Sequence, residues 1–165
     1  MRLLIEAGYP QRICAAGLFH SIYGTSIFKH TSIVPDARGR AVVREVVGEE
    51  AEHLVWLFHS IDRPGTLHAK ILPCANGAFP AGEEVLLDKT DGTTIHVTRR
   101  QFEDLLAVEM ANMIDQGPLN ATKWPGFEGC EPYIRIQQRM KRLSDSNSVC
   151  TCLSRRRRSR LYRIL

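Results

Sequence analysis

A chain of 165 residues, 44% hydrophobic and 24% charged, is long enough to close one core and has the balance of a folded domain rather than a disordered or fibrous one. Its net charge of +4 belongs to one end. Arg155, Arg156, Arg157, Arg158, Arg160 and Arg163 supply six positive charges and leave residues 1–154 with 16 bases against 18 acids, about −2, which argues against a nucleic-acid-binding body.

No apolar run reaches the ~18 residues of a membrane-spanning helix. The opening apolar stretch is short and interrupted by Glu6, unlike a secretory signal, so the sequence reads as intracellular and cytoplasmic. The five cysteines stand at 14, 74, 130, 150 and 152, without zinc-site spacing, and read as reduced thiols.

In chain order, Leu3, Leu4 and Ile5 read as the last turn of a helix that Gly8 stops, and Pro10 suits the first turn of the next. That helix carries Ile13, Cys14, Ala16, Leu18 and Phe19, then His20, and runs to Gly24. It is apolar on nearly every face, which predicts a buried central helix. Residues 26–36 form a loop, and Asp36 caps a helix through Val42, Val43, Val46 and Val47 that Gly48 breaks. Glu49 to Ile61 form another, with Ala51, Leu54, Val55, Leu57 and Phe58 facing inward and Glu49, Glu50 and Glu52 outward. Asp62-Arg63-Pro64-Gly65 stops it, and residues 66–83 read as irregular.

Val85-Leu86-Leu87 and Thr94-Ile95-His96-Val97 flank Asp91-Gly92, a hairpin signal. Thr98-Arg99-Arg100-Gln101 is a capping box, opening a helix from Phe102 to Ile114 that Gly117-Pro118 ends. Trp124 to Phe127 read as a loop and Pro132 to Leu143 as a short basic helix. From Ser144 the composition turns to Ser, Asp, Asn and Arg, that of a disordered tail. The expected fold is mainly α, with a small β-hairpin before the last core helix. It divides into a helical domain over 1–117, a loop and short helix over 118–143, and an Arg-rich tail over 144–165.

Gly17-Leu18-Phe19-His20-Ser21-Ile22-Tyr23-Gly24-Thr25 resembles the signature of an uncharacterised family of small HD-like domains. Gly48-Glu49-Glu50-Ala51-Glu52, Asp62-Arg63 and Glu109-Met110-Ala111-Asn112 are also similar to that family. More distantly, these motifs resemble the HD-type (p)ppGpp hydrolases. The resemblance covers roughly residues 3–117 and implies an HD-like helical bundle. An HD site joins a first histidine, a His-Asp pair and a distal Asp around a divalent metal that supplies hydroxide near neutral pH. Against that pattern His20 is retained, Ser21 replaces the paired Asp, and Asn112 replaces the distal Asp. The first histidine falls ahead of Met1, and Tyr23-Gly24 replaces the Glu-Asp pair of the hydrolases. A degenerate site follows, with His20 as the retained metal ligand; a divalent metal is conceivable but not favoured.

His20 reads either as a buried, hydrogen-bonded histidine or as a pocket acid, base or ligand. Tyr23, three residues on, would share its helix face. Glu109, Asn112 and Gln116, at i, i+3 and i+7, form a polar stripe that is either solvated or turned towards His20. The inward arrangement makes His20, Tyr23 and Glu109 the candidate chemical groups, with Ser21, Asp62, Arg63 and Asn112 lining a ligand pocket. Arg63 would meet a phosphate or Asp62. His53, four residues after Glu49, reads as a surface pair or a metal-ligand spacing. The tail offers a nuclear address, a nucleic-acid arm, an anionic-lipid contact or a solvated segment.

The function expected on these grounds is a non-catalytic or altered HD-like domain that binds a small phosphorylated ligand or a protein partner. The alternative is a metal-dependent phosphohydrolase acting on a nucleotide or phosphoester.

Overall fold

Three residues with free backbone or capping chemistry set the three longest helices among the described residues. Asp36 Oδ1 accepts the Gly39 amide at 2.7 Å and opens a helix. Gly48 has φ 86° and ψ 162°, a region open essentially to glycine alone. Its amide donates to the Arg44 carbonyl at 2.8 Å while its own carbonyl accepts the Glu52 amide at 3.0 Å, so one residue ends a helix and starts the next. At Thr98 both bonds of a capping box are made: the Gln101 amide reaches the Thr98 hydroxyl at 3.2 Å and the Thr98 amide reaches Gln101 Oε1 at 2.8 Å.

A computed structural model describes residues 2–70, 82–116 and 138. The elements are α1 (Arg2–Glu6), α2 (Gln11–Phe19), α3 (Ala37–Val47), α4 (Glu49–Ser60), a π-helical turn (Arg63–His68), β1 (Glu84–Asp88), β2 (Thr94–Thr98) and α5 (Arg99–Asp115). The described chain is thus mostly helical, with a two-stranded antiparallel hairpin before the last helix. Among the described residues no helix is long and apolar enough to cross a membrane.

α2, α4 and α5 pack on one another and α1 closes one end. Leu4, Phe58, Phe102, Leu106 and Met110 have almost no exposed surface. Burying such side chains contributes about 1.5–3 kcal/mol each, which outweighs the weak propensity of the short helices. The hairpin pairs Val85 with Val97 and Leu87 with Ile95, and it turns Val85, Leu87 and Val97 inward. It also grips the chain leaving α4: the Asp62 amide donates to the Asp88 carbonyl at 2.9 Å, and the Thr90 amide to the Ser60 carbonyl at 2.9 Å. That grip fixes where Arg63 starts.

Four expectations are corrected. α2 stops at Phe19 rather than near Gly24, because residues 20–23 close into tight turns, with Ile22 N bonded to Phe19 O and Gly24 N to Ser21 O, each at 2.9 Å. α2 is not buried all round, since Leu18 is exposed. Glu52, expected to face solvent, is fully buried. Residues 63–68 form a π-helical turn where 66 onward was expected to be irregular. The expectations for 71–81, for the Gly117-Pro118 stop, for 118–143 apart from Gln138, and for the 144–165 tail lie outside the described residues.

Gly48→Ala is expected to destabilise the fold by about 1–3 kcal/mol, because a Cβ there meets no neighbour yet forces a strained backbone. Chemical denaturation with an unchanged m-value would read it; wild-type stability would show that the α3–α4 corner relaxes without cost.

Candidate functional site

The segment that follows α2 is held by its own small residues. Gly24 takes φ 75°, and a Cβ there would lie 3.1–3.2 Å from Thr31 Oγ1 and the carbonyls of Phe28 and His30. Thr25 Oγ1 accepts the Phe28 amide at 2.9 Å, and the His59 ring Nδ1–H donates to the Gly24 carbonyl at 3.1 Å. Local hydrogen bonds of this kind compete with helix continuation and explain the early end of α2. They deliver His20 and Thr25 to one neighbour and Tyr23 to another.

The first neighbour is an ion pair. Arg63 and Glu109 are both buried. Arg63 Nε donates to Glu109 Oε2 at 3.0 Å, and Nη2 reaches Oε1 at 2.8 Å and Oε2 at 2.6 Å. Nη1 donates to the Thr25 hydroxyl at 3.3 Å, and the guanidinium lies 4.5 Å from the Phe58 ring centroid. Forked pairing of this geometry satisfies the guanidinium and the carboxylate together. His20 meets the same Phe58 ring edge-on at 5.7 Å, and its Nδ1–H donates to the Gly17 carbonyl at 2.8 Å. Burial lowers the His20 pKa, the Gly17 carbonyl opposes that shift, and the Arg63 charge reinforces it.

The second neighbour is a carboxylate shared by three donors. Glu52 Oε1 accepts from Tyr23 Oη at 3.0 Å and from Arg40 Nε at 2.7 Å. Its Oε2 accepts from Arg40 Nη2 at 2.9 Å and from Arg44 at 3.5 Å. Burial pushes the Glu52 carboxyl up, but the bonds from Arg40 and Tyr23 and the charges of Arg40 and Arg44 prevail and hold it below its ordinary value. The Tyr23 hydroxyl is driven up by burial and by Glu52. Arg40 also covers the Trp56 ring at 4.5 Å, with His53 stacked on Trp56 at 5.8 Å.

The sequence-predicted residues therefore separate. His20, Arg63 and Glu109 gather around Phe58, while Tyr23 turns to Glu52. Asn112 is half-buried and accepts from Gln116 Nε2 at 2.9 Å, so only Glu109 of the polar stripe reaches the core. Asp62 contributes its backbone to the hairpin, and Ser21 its carbonyl to the turn. His53 stacks on Trp56 and sits in no metal cluster. Among the described residues no three His, Cys, Asp or Glu side chains converge to hold a metal ion. With a hydroxyl at Ser21 in place of a carboxylate and the Asn112 side chain engaged by Gln116, the HD ligand set does not fit these residues.

A family model described as a domain of unknown function, DUF6817, matches residues 1–63. No curated protein and no solved structure matches the chain. The matched stretch contains the whole Glu52 cluster and ends on Arg63, whose partner Glu109 lies beyond it.

Thr25, Arg40, Arg44 and Glu52 belong to these clusters, yet none of them is among the site residues expected from the sequence; Thr25 and Glu52 stand there only inside motifs, with Glu52 facing outward. Arg40 and Arg44, four apart on α3, were the available signal, since that spacing puts two guanidinium groups on one helix face.

Tyr23→Phe is expected to cost about 1.5–3 kcal/mol, the value of a buried hydrogen bond to a charged acceptor, read by urea unfolding. A silent substitution would mean that the Tyr23 hydroxyl is not held by Glu52. The histidines give a pH signature. Because the folded-state pKa of His20 is depressed, the unfolded chain takes up the proton first, so stability should fall as pH drops below about 6.5 and level off below the folded value. His53 shifts the same way. His20→Gln should flatten part of that slope in melting curves, and an unchanged slope would contradict the burial of the ring.

Proposed function

We propose that this chain is an HD-like helical domain with a degenerate metal site, which binds a protein partner and does not turn over a substrate. One observation carries the reading: Arg63 and Glu109, the groups best suited to phosphate contact and proton transfer, are buried against each other. Freeing either one leaves an uncompensated buried charge, at a cost of about 3–5 kcal/mol. A small phosphorylated ligand would have to break that pair to reach Arg63. Apolar surface is available without any such cost, since Ile5, Leu18 and Val46 stand exposed.

Elemental analysis of the purified, chelator-free chain, alongside His20→Ala, tests the reading. Metal well below one equivalent in both samples is expected. Near-stoichiometric Mn, Fe or Zn that disappears in His20→Ala would favour the metal-dependent phosphohydrolase instead, to be followed with a nucleotide and phosphoester panel.

A further inference from the structure

Ile5 of α1, Leu18 of α2 and Val46 of α3 are 54%, 54% and 68% exposed, and all three line one open cleft of about 860 Å³. The volume falls in the range of binding clefts, roughly 300–1,000 Å³. Tyr9, Phe19 and Val47 complete its apolar wall. The end of the cleft carries a small excess of negative charge. Glu49 and Glu50 open α4 there beside Arg12, and Arg12 is itself shared between Glu50 at 3.3 Å and Asp104 at 2.7 Å, which leaves the Glu49 carboxylate unmatched by that guanidinium. An occupant that fits is apolar and basic at once.

The chain itself holds such a segment. Ser154 to Arg160 carry five arginines, and Leu161-Tyr162-Arg163-Ile164-Leu165 follow. About 40 residues separate this segment from the end of α5, and the fully extended reach of that length, roughly 130 Å, exceeds the width of a small domain. Membership of the same chain makes the contact intramolecular, so a modest intrinsic affinity suffices.

We infer that residues 154–165 dock in the cleft between α1, α2 and the α3–α4 corner of the same chain, with Leu161, Tyr162, Ile164 and Leu165 against Ile5, Leu18 and Val46. The arginines meet Glu49 and Glu50. The inference rests on the reading of the domain as a binding module and names the occupant of its apolar surface.

The test uses the full chain with p-benzoylphenylalanine in place of Tyr162, irradiated and mapped by mass spectrometry. The expected result is an intramolecular crosslink at or beside Ile5, Leu18 or Val46. Its yield should fall roughly tenfold in a Leu18→Asp, Val46→Asp background, the effect of losing apolar anchors. Both substitutions sit on exposed positions, and circular dichroism checks that the helices persist. Crosslinks scattered over the surface, crosslinks only between two copies, or a yield indifferent to the two aspartates would each overturn cis docking. None of these bears on the metal content that tests the binding-module reading, so the two failures are distinguishable.

Discussion

A guanidinium and a carboxylate that leave water together must find each other, because either one alone in the core is destabilising by several kilocalories per mole. Arg63 and Glu109 are in that position. Arg63 starts the π-helical turn that follows α4, and Glu109 sits in the middle of α5, so their pairing joins two elements 46 residues apart. The same guanidinium holds Thr25 and covers Phe58, and the His20 ring meets that phenyl group in a T-shaped contact. The segment that carries the most distinctive sequence pattern is thereby anchored to the last helix. The hairpin serves the same end by clamping the backbone at Asp62.

Glu52 does for α3 what Glu109 does for the π-helical turn. Its carboxylate draws Arg40 and Arg44 across the sharp corner made by Gly48 and receives the Tyr23 hydroxyl from the other side. Two buried acids thus organise residues whose type would otherwise suggest catalysis. A tyrosine whose hydroxyl is held near a carboxylate, with its proton bound more tightly than usual, is a poor proton donor at neutral pH. Glu52, forked by Arg40, is a poor base for the converse reason, since the adjacent guanidinium groups hold its carboxyl below the ordinary value.

Much of this architecture was legible in the residues. Asp36, Gly48 and the Thr98–Gln101 box marked helix ends through chemistry that acts within a few residues, and Asp91-Gly92 marked the hairpin in the same way. The two clamps were not legible, because they depend on contacts between distant segments. Glu52 stands among Glu49 and Glu50 at a helix start, where acids normally face water, and only the approach of Arg40 from the neighbouring helix turns it inward. The early end of α2 was hidden for a similar reason. Ile22 and Tyr23 continue an apolar pattern, while the turns are fixed by the Phe28 amide donating to the Thr25 hydroxyl and the Thr31 hydroxyl donating to the Tyr23 carbonyl, which periodicity does not reveal. Glu109 was singled out from its spacing, but as a chemical group; its burial and its partner came from the fold.

The most direct test of the account is a double-mutant cycle on the buried pair, with Arg63→Met, Glu109→Leu and the two combined, each followed by urea unfolding. The account predicts that each single substitution destabilises by about 3–5 kcal/mol, and that the double variant loses clearly less than their sum, with a coupling of roughly 2–3 kcal/mol. Single variants of wild-type stability, or losses that simply add, would mean that Arg63 and Glu109 do not hold one another in the core.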